Sequence, residues 1–268
     1  MSGFSSKWLA LREPLDLAAR NREVETAFQR HLPSSSPRLL DLASGAGSTV
    51  AALKGRLPAD TMWTLTDHDP ALIAVARDRW QRQLQGALSL RQIDLAANVE
   101  DLPFAEVDAV TTSAFLDLVS EAFLERLVGC VIRAQKPFLA SLTYDGRITF
   151  APQASLDNTM RDVLNSDQRL DKGFGPALGP FAAERAIALF KAGGYEVVNG
   201  TSDWNVGPSD EGFLEEFLSG WSGVGLKNGI SQDDLDGWRL QHLTQMRSGD
   251  IRVTIGHIDF AAFPKSKV

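Results

Sequence analysis

The chain has 268 residues, is 44% apolar and 23% charged, and carries a formal net charge of −7. That mix excludes a disordered or fibrous polypeptide and fits one large α/β domain with insertions. The acidic balance, with no basic run to offset it, argues against a nucleic-acid partner and for a small molecule.

Residues 6–32 hold apolar positions at helical spacing, among them Trp8, Leu9, Leu15, Val24 and Phe28, and Pro14 is expected to divide them into two helices. The breaker cluster PSSSP (33–37) closes this N-terminal helical cover, taken as residues 1–37. An alternation follows. RLLDLA (38–43) reads as a strand and STVAALKGRL (48–57) as a helix; TMWTLTD (61–67) is a strand, and a helix over 70–84 starts at Asp69 and Pro70. Strands are expected over 88–94, 107–114 and 136–144, with a helix over 120–134. Short apolar strands alternating with helices imply an α/β fold, a parallel sheet with helices on both faces. After Tyr144 the rhythm breaks, and two inserts in the 38–268 core, at about 146–180 and 205–249, are expected to form a helical lid. Between and after them come a helix at FAAERAIALFKAGG, a strand over 195–204 and a last strand over 250–263.

Cys130, the only cysteine, lies in the apolar run LVGCVI and reads as a buried, inert thiol. His31, His68, His242 and His257 are scattered without metal-ligand spacing, so no metal site is expected. No apolar run approaches the roughly 20 residues of a membrane span, and no signal peptide is recognisable at the start, so the expected location is cytoplasmic, without a membrane partner.

The stretch LLDLASGAGSTVAAL (39–53) puts Gly45 and Gly47 where a strand turns into a helix, exposing backbone N–H groups at a helix N-terminus. Asp67 ends the second strand 20 residues after Gly47, where a doubly wound fold places its ribose-binding carboxylate, and Asp94 ends the third. Asp41, Asp67 and Asp94 thus outline one crevice at one sheet edge. The dinucleotide fingerprint fails at its third glycine, which here is Val50. Asp41 is also awkward beside a pyrophosphate and suits a cofactor with positive charge.

These residues resemble the class I S-adenosylmethionine-dependent methyltransferases. Their D/E-x-G-x-G-x-G motif is matched by Asp41-Leu42-Ala43-Ser44-Gly45-Ala46-Gly47, with Ala43 in place of the first glycine. The ribose acid and its turn are matched by Asp67-His68-Asp69-Pro70, and the adenine-contacting acid by Asp94, with Leu95 beside it. The likeness covers residues 38–145. It implies a Rossmann-like seven-stranded, mostly parallel sheet with an antiparallel last strand, and S-adenosyl-L-methionine as cofactor, leaving as S-adenosyl-L-homocysteine. Ser44 to Gly47 would approach the methionine moiety, Asp67 with neighbouring His68 the ribose, and Asp94 with Leu95 the adenine.

At the end of the fourth strand Ser113 is expected to line the cofactor pocket, with a backbone-bonded hydroxyl as the alternative. Asp117 stands where relatives often have a histidine, and reads as a general base or substrate-orienting carboxylate, or else as the cap of the next helix. Tyr144, with Asp145, is expected to face the same crevice, and Tyr144 either hydrogen-bonds substrate or is simply packed. Arg169 and Lys172, between glycines in the first insert, would bind an anionic group or remain solvated. Trp204 is a candidate aromatic wall for a flat substrate, with Trp221 and Trp238 in the same region; core packing of the inserted helices is the alternative, since Leu214, Phe217, Leu218 and Trp221 recur at helical spacing. Trp8, Arg12, Asp16 and Arg20 would close over the methionine end, Arg20 pairing either with the cofactor carboxylate or with Asp16. The expected function is methyl transfer to an oxygen or nitrogen of a small-molecule acceptor, aromatic or heterocyclic. A noncatalytic cofactor-binding or scaffold subunit and a nicotinamide-dependent oxidoreductase stay open as alternatives, as does a homodimer.

Overall fold

Leu39, Leu40 and Leu42 have no exposed surface, as a strand covered on both faces requires. They lie in β1 (Arg38–Leu42), at the centre of the sheet in a computed structural model that describes residues 5–265. Residues 1–4 and 266–268, part of the expected cover and core ranges, lie outside the described residues. β2 (Met62–Asp67), β3 (Leu88–Gln92), β4 (Ala109–Ser113) and β5 (Phe138–Ala151) complete the parallel part. The order across the sheet is β3-β2-β1-β4-β5-β8-β6, with β8 (Arg252–Pro264) antiparallel to both β5 and β6 (Tyr195–Thr201). The reversal of strand order between β1 and β4 opens a crevice at the carboxyl edge of the sheet.

Helices α3 (Ser48–Leu53), α4 (Pro70–Trp80), the single turn α5 (Leu95–Asn98), α6 (Glu121–Arg133) and α8 (Ala182–Ala192) follow the strands in the chain. Local chemistry starts them. Asp69 caps α4 through the Ala71 amide ahead of Pro70 at its first turn, and Ser120 caps α6 through the Phe123 amide. Cys130 is buried in α6, its thiol raised by burial, as its apolar context indicates.

Three expectations change. Pro14 lies inside α1 (Ser6–Ala19), and the break falls at Arg20 and Asn21, where Asn21 caps α2 (Arg22–Gln29). Pro14, in the third turn, removes one helical hydrogen bond without ending the helix, whereas Asn21 offers the new helix two hydrogen bonds. Second, residues 146–151, expected to begin the lid, prolong β5, because Ile148–Ala151 pair with Ile255–Arg252 of β8. The insert that remains carries α7 (Asp157–Gln168). Third, the strand expected over 195–204 is interrupted at Ser202 and resumes as β7 (Trp204–Val206), both parts pairing with β8, so the sheet has eight strands rather than seven.

The second insert forms α9 (Glu211–Lys227) and α10 (Gln232–Ser248), whose apolar faces join α7 and the far halves of β5 and β8 in a second core. Trp238 of α10 donates to Asp157 of α7 at 2.7 Å, and His242 Nε2 meets the same carboxylate oxygen at 2.7 Å. Among the described residues no helix is long and apolar enough to cross a membrane, and no cluster of three metal-ligating side chains occurs.

Candidate active site

The turn after β1 is built by backbone bonds. Ser44 N donates to Thr66 O at 2.8 Å, Gly47 N to Ser44 O at 2.8 Å, and Gly45 N to Asp67 Oδ2 at 2.8 Å. Asp67 Oδ1 accepts from Asp69 N at 3.0 Å, so this one carboxylate holds the ends of β1 and β2 together. His68 is exposed beside it, with Nδ1 3.4 Å from Asp67 Oδ1. Gly45 and Gly47 adopt φ of +53° and +82°, the left-handed region that favours glycine, and a Cβ at Gly47 would strike the indole of Trp80. Ala43, where the motif has its first glycine, takes the same kind of conformation at φ +48°. Ala114 and Leu142, at the ends of the parallel stretches of β4 and β5, do likewise at +49° and +56°. Backbone strain of this kind is stored where a site needs it.

Asp41 is wholly buried under the turn. Its Oδ1 accepts from Thr111 Oγ1 at 2.7 Å, and burial pushes its carboxyl up to about 7. Arg20 is buried above the same edge, with Nη2 donating to Ser113 Oγ at 3.1 Å; the alternative bond to Asp16 is not formed, since Asp16 is held by Arg12 at 3.0 Å and by Trp204 Nε1 at 3.0 Å. Ser113 therefore bonds a side chain rather than its own strand. Asp94 is exposed past β3 and caps α5 through the Ala96 amide at 3.0 Å, while Leu95 is buried in the core.

Arg20 Nε and Nη1, Asp41 Oδ2 and Ser44 Oγ are buried without a protein partner. Buried donors and acceptors of this kind are costly unless something answers them. S-adenosylmethionine carries an α-carboxylate, an α-ammonium and a sulfonium, and the free guanidinium donors match the first while the free carboxylate oxygen matches a cation. The residues present fit that cofactor.

Beyond the end of β4 lies a cavity of about 300 Å³ walled by Trp8, Tyr144, Trp204, Phe217 and Trp221. Asp117 lines it from a short turn (Leu116–Leu118); Ser120, not Asp117, caps α6. Its Oδ1 is buried without a partner, and burial raises its carboxyl to about 6. Tyr144 reaches the cavity, but its hydroxyl donates to Asn165 at 2.7 Å, and burial pushes its pKa up. Asp145, the next residue along the strand, points elsewhere: with Arg169 it lines a separate surface groove. Arg169 is exposed and stacks over Phe181, and Lys172 pairs with Asp167 at 2.9 Å, so neither reaches the cavity. Each is engaged locally, Lys172 by a carboxylate five residues away and Arg169 by the ring just past the end of the insert.

Two site residues went unread in the sequence, His257 and Asp259 on β8. His257 pairs in register with Tyr144 and lines the cavity; Asp259 accepts from Leu142 N at 2.6 Å and Asn21 N at 2.9 Å, holding the kink in β5 and the start of α2. The signal was present in IGHID, where two polar residues two positions apart in an apolar strand share one face.

Sheet order, glycine turn and acidic strand ends are those of the class I, Rossmann-like methyltransferase fold. Residues 39–137 match the family model described as a methyltransferase domain. No curated protein matches the chain by sequence. Among solved structures, YcgJ protein from Bacillus subtilis is 15% identical with a TM-score of 0.53, the alignment covering 91% of this chain and 98% of that one. Haemonchus contortus phosphoethanolamine N-methyltransferase 2, bound to phosphomonomethylethanolamine and S-adenosylhomocysteine, is 16% identical with a TM-score of 0.49, over 96% of this chain and 57% of that one.

Proposed function

We propose that the protein methylates an oxygen or nitrogen of a small molecule seated in the aromatic-walled cavity, with Asp117 taking the acceptor's proton. The observation that carries this reading is Asp117 Oδ1, buried without a partner in a cavity that opens beside the end of β4. The chain's net charge of −7 supports a small acceptor over nucleic acid.

When bound, S-adenosylmethionine supplies an electrophilic methyl group. Arg20 would hold its carboxylate, Asp41 and the Ser44–Gly47 turn its amino-acid end, Asp67 its ribose hydroxyls and Asp94 its adenine. The aromatic walls orient the acceptor and exclude water, which is most of what an in-line transfer needs. Asp117 would take the N–H or O–H proton that the acceptor gives up on methylation and release it to solvent. A carboxyl held near 6 is ionised at neutral pH and still basic enough to take it. α1 and the α7 and α9 segments serve as the cover over this chamber.

The test is incubation with S-adenosylmethionine labelled in its methyl group and a library of amines, phenols and heterocycles. Label in a small product, lost in Asp117→Asn while S-adenosylhomocysteine still binds, supports the reading. Label found only in nucleic acid or protein refutes it.

A further inference from the structure

The cavity offers its occupant two hydrogen-bond acceptors and no unanswered positive charge. Arg12, which lines it, donates to Asp16 at 3.0 Å and lies over the Trp204 ring at 5.7 Å. Glu216, at the rim, is matched by Lys7 at 2.9 Å. Of the acidic side chains that line this cavity, Asp117 is the one left unanswered.

His257 supplies the second acceptor. Its Nδ1 lies 3.0 Å from Ile255 O, and a carbonyl only accepts, so the ring proton is on Nδ1 and Nε2 keeps its lone pair. Burial, with the nearby Arg12 charge, lowers the ring to about 3, and the imidazole is neutral throughout the physiological range. The ring is wedged against Trp204, centroids 4.6 Å apart, and edge-on to Tyr144 at 6.0 Å, which fixes its orientation.

Resting on the reading of this cavity as the acceptor site, we propose that His257 selects the acceptor: the substrate is a flat, uncharged or cationic molecule with two N–H or O–H donors, one for Asp117 and one for His257 Nε2. A molecule lacking the second donor leaves Nε2 desolvated and unpaired, and an anion meets the Asp117 carboxylate while the nearby cation, Arg12, is already matched by Asp16. His257 is too weak a base to take the proton itself. It is a specificity residue, and Asp117 remains the proton acceptor.

The experiment uses the whole protein saturated with S-adenosylhomocysteine and follows tryptophan fluorescence, since Trp8, Trp204 and Trp221 line the cavity. Three probes of similar size are titrated: catechol, with two donors; 1,2-dimethoxybenzene, with none; and benzoate, an anion. Catechol is expected to bind at least about tenfold tighter than either. His257→Phe should bring catechol within about threefold of dimethoxybenzene without changing the affinity for S-adenosylhomocysteine, and His257→Gln, which keeps an acceptor oxygen, should restore part of the preference. If His257→Phe does not fold, the wild-type ranking and His257→Gln decide. Binding indifferent to donors, benzoate equal to or tighter than catechol, no binding of any probe to the loaded protein, or an unaltered preference in His257→Phe would overturn the proposal. Failure of the wild-type protein to bind S-adenosylhomocysteine would instead refute the cofactor assignment beneath it.

Discussion

The amide of Gly45 donates to Asp67 Oδ2 at 2.8 Å, so the carboxylate assigned to the ribose also shapes the turn meant for the methionine end. Asp67→Ala should weaken S-adenosylhomocysteine binding by about 1–3 kcal/mol, the scale of lost charge-assisted hydrogen bonds. Calorimetry showing unchanged affinity would put the ribose elsewhere.

Asp117 must be ionised to accept a proton, and burial raises it to about 6. With an acceptor that turns over, kcat/KM should therefore rise with pH up to about 6 and then level off. Asp117→Asn should remove the rise and lower kcat by roughly a hundredfold, the lower end of general-base effects. A variant with the wild-type pH profile would return Asp117 to a packing role.

Asp41 affects stability in the unliganded protein. Its pKa rises from 3.8 to about 7 through burial, so between those values the folded chain holds a proton that the unfolded chain has released. Stability should fall as pH climbs through that window. Urea unfolding of Asp41→Asn should show a smaller loss between pH 5 and pH 8; Asp16, Glu25, Asp117 and Asp259, also raised by burial, keep some slope. An identical slope in variant and wild type would contradict the buried, protonatable state of Asp41.

Ala43 occupies a left-handed conformation at φ +48°. Replacing it by glycine should stabilise the protein by about 1 kcal/mol, the relieved strain exceeding the added freedom of the unfolded chain. Gly47→Ala is the converse: φ is +82° and the new methyl would meet Trp80, so a loss of roughly 2 kcal/mol or more is expected, with weaker cofactor binding. Thermal unfolding of the two variants checks both signs; a destabilised Ala43→Gly protein would show that the strain is not there.

Much of the parallel half of the fold was legible because each of its features is local. A strand, a glycine turn and a helix follow one another within 39–53, and the acids at 67 and 94 repeat the pattern one unit on. The acceptor half was not, because it is assembled from distant segments. Arg169 and Lys172 looked promising between glycines, yet Lys172 finds a partner within five residues and Arg169 stacks on Phe181. His257 looked incidental, and only the pairing of β8 against Tyr144 brings it to the chamber. Pro14 misled in the same way: it marks a local preference that the packing of α1 overrides.

α1 borders both halves of the active site. Leu9 packs where a side chain on Gly45 would come within 3.4 Å, and its sequence neighbour Trp8, with Arg12, belongs to the wall of the aromatic chamber. A ligand at the glycine turn and one in the aromatic chamber would therefore share this helix as a common wall, so a substitution at Leu9 or Trp8 is expected to alter the outline of both compartments.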